Sequence, residues 1–93
     1  MQFLVQAYDF PDAAERRLAV RPAHFVRARD LKAAGHFILG GAILSDDGRM
    51  IGSTMIVDFP DEAALRDWLV TEPYVTGRIW DEIKVRLFRV ADV

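Results

Sequence analysis

The stretch His36–Phe59, HFILGGAILSDDGRMIGSTMIVDF, consists of two apolar runs on either side of a short polar segment. We expect strands over His36–Ile43 and Met50–Phe59, because both runs are rich in residues that favour extended backbone and are bounded by turn residues. The segment Ser45–Gly48 ends in Asp-Gly, which favours the positive φ of a tight reversal. The stretch therefore predicts an antiparallel hairpin in the middle of the chain.

The sequence before the hairpin begins with another strand, which is followed by a turn. Gln2–Tyr8 is dominated by apolar residues and predicts a buried strand. Asp9–Asp12 is typical of a turn, because Pro11 disfavours helix at the residue before it. Asp12 is then positioned to cap a helix that follows.

A helical region follows this turn. Ala13–Val20 favours helix, and we expect helix to continue to about Ala34, where Gly35 ends it. Pro22 suits the first turn of a helix rather than its interior, so we expect a kink or a restart near Arg21.

A second helix and a last strand follow the hairpin. Asp61 is the expected cap of this helix, which should end before Pro73, since a proline pushes the residue before it toward extended geometry. Tyr74–Trp80 is expected to be a loop or a short turn. Apolar and charged residues alternate in Ile83–Val90, which predicts a half-buried strand.

The predicted element order is β-α-β-β-α-β, which is typical of an α+β fold with a split βαβ arrangement. In this fold a four-stranded antiparallel sheet carries both helices on one face. The strands are too apolar for the other face to remain in water, and no element is left to cover it. We therefore expect a second copy of the chain to bury that face, so that the protein is a homodimer.

Composition limits the classes of function. The chain of 93 residues fits one domain, and its formal net charge of −2 argues against a nucleic-acid partner, which requires a concentrated basic face. Cysteine is absent, which excludes disulfides and thiol nucleophiles. The histidines and carboxylates lack metal-ligand spacing, so we expect no metal. Without a long apolar run or a signal peptide, we expect no membrane association and a cytoplasmic location.

His24 is the most informative residue of the first helical region. Helical spacing places it in the middle of the apolar stripe, with Ala28 and Leu31 on the same side. A histidine there is either a general acid or base in a pocket, or a core residue whose ring bonds a backbone carbonyl. The spacing alone leaves both interpretations open.

Three arginines, Arg16, Arg17 and Arg21, shortly precede this histidine. If the helix is unbroken, Arg17 and Arg21 lie close to the histidine on the helical wheel. They would then hold an anionic ligand, since guanidinium groups bind carboxylates and phenolates in a fixed geometry. The alternative is a solvated helix face on which the arginines pair with Asp12 and Glu15.

Glu72-Pro73-Tyr74 follows the second predicted helix. Because the proline fixes the backbone, the Glu72 carboxylate and the Tyr74 ring point in set directions. The carboxylate is either the group that orients a catalytic imidazole, or part of a helix exit at which Tyr74 packs in the core.

Gly40-Gly41 and Gly52-Ser53 lie on the two predicted strands of the hairpin. Two stretches with so little side chain leave room for a hollow over the sheet, in which backbone amides and Ser53 face a ligand. Alternatively, the glycines mark a β-bulge or a closely packed helix.

Several segments together resemble the YciI-like (YCII-related) family. They are Arg16–His24 with its Arg-Pro-x-His core, Gly35, Gly40-Gly41, Gly52–Thr54, Trp68 and Glu72–Tyr74. The resemblance covers essentially the whole chain, so residues 1–93 are expected to form a single domain of this type. It implies the ferredoxin-like dimeric α+β barrel architecture, in agreement with the predicted element order.

The resemblance also implies a site, a His–acid pair in a pocket, with His24 as the histidine. The acid of the family's Asp-Pro-Tyr/Phe segment falls on Glu72, whose side chain is a methylene longer than that of aspartate. Relatives include a dehydrochlorinase that acts on a chlorinated hydroxyhydroquinone, and related barrels include muconolactone isomerases. These reactions share cofactor-free proton transfer on a small ring compound that is rich in oxygen.

We therefore expect a homodimeric enzyme without a cofactor that moves a proton on a small anionic organic molecule, or eliminates a leaving group from it. His24 and Glu72 are the expected catalytic residues. The expected ligand-binding residues are Arg17, Arg21, Gly40, Gly41, Ser53 and Tyr74. The competing hypothesis, which the change from Asp to Glu favours, is a non-catalytic module that binds a small ligand or a partner protein.

Overall fold

The chain folds into four strands and three helices. The structure is a computed structural model that describes residues 1–93. The elements are β1 (Gln2–Asp9), α1 (Ala14–Ala33), β2 (Phe37–Leu44), β3 (Met50–Asp58), α2 (Glu62–Leu69), α3 (Pro73–Thr76) and β4 (Trp80–Phe88). The longest helix, α1, has 20 residues, and neither it nor a shorter one combines the length and apolar character needed to cross a membrane.

The strands form one sheet in the order β2-β3-β1-β4, and every neighbouring pair is antiparallel. In this register Val5 of β1 lies opposite Met55 of β3 on one side and Val85 of β4 on the other. The predicted hairpin consists of β2 and β3, and its turn contains Gly48 at a φ of 85°. The arrangement confirms the ferredoxin-like α+β fold predicted from the sequence.

The core lies between the helices and one face of the sheet. Alternation along β1 places Phe3 and Val5 on that face, where they are 1% and 2% exposed. They pack in one cluster with side chains from each helix, among them Leu31, Leu65 and Tyr74. Burial of such a side chain contributes about 1.5–3 kcal/mol, so this layer holds the helices on the sheet. We call this side of the sheet the helix-facing side and the opposite side the open face.

Helix α1 runs without a break through Pro22, so the predicted kink or restart near Arg21 is wrong. The buried residues of α1 are Arg17, His24 and Leu31, which follow one another at intervals of seven residues, two turns of helix. One stripe therefore packs against the sheet on both sides of the proline. An interior proline costs about 3 kcal/mol, and the packing on both sides compensates for this cost.

The two longer helices begin in different ways. Ala13 occupies the N-cap position of α1 and makes no side-chain hydrogen bond there. The predicted cap by Asp12 is therefore wrong, and the Asp12 carboxylate pairs instead with Arg16 at 3.4 Å. Asp61 does cap α2 as predicted, because its Oδ1 accepts from the Ala64 backbone N–H at 2.8 Å.

The segment expected to be a loop or a short turn before the last strand contains the short helix α3, of four residues. Pro73 occupies its first position, where a proline loses no helical hydrogen bond. Glu72 is its N-cap, and β4 begins at Trp80 rather than at Ile83. The segment between α2 and Ile83 therefore consists largely of regular secondary structure rather than an irregular loop.

Candidate active site

A cavity of about 140 Å³ lies between α1 and the helix-facing side of β2 and β3. It exists because β2 presents small residues there, Gly40 beside Met55 and Ala42 beside Ser53. The cavity brings together seven of the predicted site residues, Arg17, Arg21, His24, Gly40, Gly41, Ser53 and Tyr74. The remaining one, Glu72, is completely buried and contacts His24.

His24 and Glu72 form a buried hydrogen-bonded pair. A carboxylate only accepts hydrogen bonds, so Nδ1–H of the imidazole donates to Oε1 of Glu72. In the neutral imidazole this fixes the tautomer and leaves a lone pair on Nε2, which has no hydrogen-bond partner in the protein. An imidazole held in this way is equipped to take a proton at Nε2.

Glu72 is held in place by the short helix that it caps. Its Oε1 also accepts from the Tyr74 backbone N–H at 3.2 Å, while its Oε2 is buried without a partner. Burial of a carboxylate is costly unless hydrogen bonds or a positive charge compensate for it. The contact with His24 is therefore the main compensation available to this side chain.

Tyr74 forms a wall of the site next to the histidine. Its ring stacks on the His24 imidazole, with centroids 4.0 Å apart and planes inclined by 10°. Burial raises the pKa of the Tyr74 phenol above its ordinary value of 10.0, against the opposing effect of the nearby Arg17. Tyr74 therefore stays neutral near neutral pH, and it presents an aromatic face rather than a charge.

Arg17 is buried, which rules out for this residue the alternative of a solvated helix face. Its Nη1 donates to both carboxylate oxygens of Asp9 at 2.9 Å, and its Nη2 donates to Ser53 Oγ at 2.9 Å. The guanidinium also lies 4.8 Å from the centre of the Tyr74 ring. Arg17 thus has its charge compensated within the protein, although it borders the cavity.

Arg21 lies one helical turn further along α1 and also borders the cavity. Its guanidinium packs over the Phe25 ring at 4.7 Å, and it forms no salt bridge within the chain. A half-buried cation without a carboxylate partner is suited to meet the charge of an anionic ligand.

Arg17 and Ser53 are part of a hydrogen-bond network, and two of its residues were not predicted from the sequence. They are Asp9, the partner of Arg17, and Trp80, a second donor to Ser53. Trp80 Nε1–H donates to Ser53 Oγ at 3.1 Å. The helical wheel already placed Arg17 on the inner side of α1, and an inward guanidinium requires a carboxylate. Asp9, at the end of the preceding strand, is a carboxylate within reach, so this signal was present in the sequence.

A wider cleft of about 520 Å³ adjoins the cavity and shares Arg17 and Met50 with it. The cleft lies between the β1–α1 connection and the β2–β3 turn, and neither His24 nor Glu72 lines it. His24 and its partner Glu72 are therefore associated with the smaller cavity, and we place the candidate site there.

Two solved structures share this fold over nearly the whole chain. One is 5-chloro-2-hydroxyhydroquinone dehydrochlorinase from Burkholderia phenoliruptrix AC1100, in complex with 2,5-dihydroxybenzoquinone, with a TM-score of 0.87 and 23% identity over 98% of this chain and 96% of that one. The other is an antibiotic biosynthesis monooxygenase, with a TM-score of 0.57 and 15% identity over 98% of both chains.

Sequence comparison identifies the family. Protein YciI of Escherichia coli O6:H1 is 30% identical over 95 residues, which cover 96% of this chain and 97% of the relative. An uncharacterized protein of Haemophilus influenzae matches with the same identity and coverage. The model of the YCII-related domain matches residues 1–89. The chain therefore belongs to the YCII-related family.

Proposed function

We propose that the protein is an enzyme without a cofactor that removes a proton from a small, oxygen-rich organic anion and thereby eliminates a leaving group such as chloride. The observation that carries this proposal is the buried His24–Glu72 pair on a cavity that Tyr74 and Arg21 also border. A histidine that acts as a general base requires this arrangement: one ring nitrogen donates a hydrogen bond to a carboxylate, and the other keeps a free lone pair.

In the proposed reaction, a chlorinated polyphenol such as 5-chloro-2-hydroxyhydroquinone reacts as its keto tautomer, in which a hydroxyl proton has moved to the ring carbon that carries chlorine. Nε2 of His24 then takes the proton of the resulting H–O–C=C–C–Cl unit. The electron pair of the O–H bond forms a C=O bond, the C=C pair shifts toward the carbon that carries chlorine, and chloride leaves with the pair of the C–Cl bond. The product unit is O=C–C=C, so atoms and electrons balance without an oxidant. Glu72 stabilises the imidazolium that forms, and a positioned base of this kind contributes about 10²–10⁴-fold to the rate.

We propose that Arg21 binds the negative charge of the substrate. Its guanidinium has no salt bridge in the chain, whereas the charge of Arg17 is met by Asp9. We therefore assign Arg17 the task of positioning Ser53 and Tyr74, and Arg21 the contact with an anionic oxygen. The backbone of Gly40 and Gly41 closes the opposite wall.

The structural relative supports the choice of a first substrate. That protein is a dehydrochlorinase named for 5-chloro-2-hydroxyhydroquinone. We propose to mix this compound with the purified protein and to measure released chloride. Native protein and His36→Asn should release chloride, whereas His24→Asn should not, because only His24 borders the cavity. Equal release by native protein and His24→Asn contradicts the proposed role of the histidine.

The second candidate is a module that binds a small ligand without reaction. Its supporting observation is that Glu72 also caps α3, a structural task that would retain the carboxylate in the absence of catalysis. Calorimetric binding of 2,5-dihydroxybenzoquinone, together with the absence of chloride release from the chlorinated compound, would favour the module over the enzyme.

We also propose that two copies of the chain associate through the open face. Register and alternation place Leu4, Ile56 and Leu39 side by side on that face. Ile56 is 6% exposed yet lies outside the core cluster, and Leu39 is 55% exposed. Such a row of apolar side chains is typical of a surface that a second copy covers.

A further inference from the structure

Ser53 is the polar side chain that β3 contributes to the cavity. It lies on the helix-facing side between Ala7 of β1 and Ala42 of β2, and it is 5% exposed. Because both neighbours are alanines, nothing on the adjoining strands covers its hydroxyl group, and Ser53 borders the 140 Å³ cavity. Its hydrogen bonds therefore determine what it offers to a ligand.

The hydrogen-bonding capacity of this hydroxyl is almost entirely used. A serine hydroxyl has two acceptor lone pairs and one donor hydrogen. Ser53 Oγ accepts from Arg17 Nη2 at 2.9 Å and from Trp80 Nε1 at 3.1 Å. Guanidinium and indole nitrogens donate and do not accept, so both lone pairs are occupied. The O–H hydrogen remains, and no group of the protein accepts it.

We propose that the Ser53 hydroxyl donates a hydrogen bond to a carbonyl oxygen of the substrate. This inference rests on the proposed function, and it narrows the substrates to small hydroxy-ketones, in which a carbonyl oxygen accompanies the hydroxyl group that loses its proton. The charge of Arg17 strengthens the donor, because hydrogen bonds in a chain polarise one another. With both lone pairs occupied, Ser53 acts neither as a nucleophile nor as a base.

The test uses 2,5-dihydroxybenzoquinone as a probe, because it carries carbonyl oxygens and its binding does not require turnover. Calorimetry should show up to about tenfold weaker binding to Ser53→Ala than to native protein, the loss expected for one hydrogen bond to a carbonyl oxygen. Ser53→Thr keeps the hydroxyl and should restore the affinity. Ser45→Ala alters the one other serine of the chain, outside the cavity, and should bind as the native protein does.

A second variant and a second measurement guard against a structural effect of the alanine. Ser53→Cys keeps the shape of the side chain, with a somewhat larger sulfur in place of the oxygen, but replaces a strong donor by a weak one, so it should also bind more weakly. In the infrared spectrum, the C=O stretch of the bound probe should lie at a lower frequency in native protein than in Ser53→Cys, because a hydrogen bond weakens the C=O bond.

The outcomes separate this inference from the proposed function. Binding that depends on Ser53, without chloride release from 5-chloro-2-hydroxyhydroquinone, supports the role of Ser53 and contradicts the proposed reaction. Absence of probe binding to native protein overturns the inference. Equal affinity and equal C=O frequency in native protein, Ser53→Ala and Ser53→Cys also overturn it, whether or not chloride is released.

Discussion

One carboxylate of this protein serves two neighbours. Glu72 Oε1 accepts from the imidazole of His24 and from the backbone N–H of Tyr74. The same side chain therefore orients the proposed base and starts the helix that carries Tyr74. At the scale of single residues, the proposed catalysis and the local structure depend on the same side chain, so substitutions here must be chosen to separate the two.

Glu72→Gln is the substitution that does so. Glutamine retains a carbonyl oxygen that caps α3, but it lacks the charge that stabilises a protonated His24. We expect the rate of chloride release to fall by about 10²–10⁴-fold. Glu72→Asp, which shortens the acid but keeps its charge, should retain more activity than Glu72→Gln. Steady-state kinetics of native protein, Glu72→Gln and Glu72→Asp measure these rates. An unchanged rate in Glu72→Gln would contradict the His–acid mechanism.

Tyr74 predicts how the stability of the protein changes at alkaline pH. Its pKa is raised by burial in the folded state, so above about pH 10 the unfolded chain releases this proton more readily than the folded chain. The contribution to stability is fully present below the unfolded pKa and is lost as pH rises toward the folded pKa.

Urea unfolding at about pH 8 and about pH 11 measures this loss. Tyr74→Phe should lose less stability between the two conditions than native protein, since phenylalanine has no proton to release. Tyr8→Phe removes an exposed tyrosine and should behave as the native protein does. If the stability of Tyr74→Phe declines between the two pH values as steeply as that of native protein, the Tyr74 phenol is not the group responsible for the loss.

At the scale of elements, α1 organises the site. One stripe of this helix carries Arg17, His24 and Leu31, so the charged network, the proposed base and the core contact share a single helix as their support. Arg27 joins this helix to the end of α2, where it donates to Thr71 Oγ1 at 2.7 Å and to the Trp68 carbonyl at 3.2 Å. The helix thus fixes the distance between its own residues and the segment that carries the acid.

The proline inside α1 offers a direct test of this support. Pro22 is exposed and does not border the cavity of the candidate site. Pro22→Ala restores a backbone N–H, so we expect the free energy of unfolding to rise by about 1–3 kcal/mol in chemical denaturation. Pro60→Ala, which lies before α2 rather than inside a helix, is the control and should give no such increase. A lower free energy of unfolding in Pro22→Ala would contradict this prediction, and it would show that the proline ring makes stabilising packing contacts.

Most helices and strands could be predicted from local sequence patterns, and the predictions that were wrong share one cause. Asp-Gly in the central turn and Asp61 before α2 act through their immediate neighbours, so sequence reasoning located them correctly. The break expected at Pro22 was wrong because burial on both sides of the proline, a tertiary effect, outweighs the local preference. Local spacing likewise gives no sign that His24 meets Glu72, 48 residues away; that expectation came from the family resemblance.

At the scale of the whole molecule, the open face is unevenly apolar. Its β2–β3–β1 side carries Leu39, Ile56 and Leu4, whereas Lys84 and Arg86 of β4 lie on the same face at the other edge. The prediction that the strands are too apolar for this face to remain in water therefore applies to one side of it. An interface centred on that side would leave the basic edge in contact with solvent.

This surface predicts the oligomeric state. Analytical ultracentrifugation at micromolar concentration should detect a dimer, with an interface of roughly 1,600 Å² or more in total. Leu39→Glu places a charge at the β2 end of the apolar row and should shift the protein toward monomer. Leu18→Glu alters a similarly exposed leucine on α1 and should leave the dimer intact. A native protein that sediments as a monomer would contradict the proposal.

The network around Ser53 has a consequence for the energetics of folding. Asp9, Arg17, Ser53 and Trp80 come from β1, α1, β3 and β4, so the site is complete only when segments from both ends of the chain have assembled. A partly folded form that lacks one of these elements therefore lacks part of the proposed site. In all four elements, a ligand should therefore slow by the same factor the amides that exchange only through global opening, because it stabilises the protein against global opening rather than against the motion of one loop.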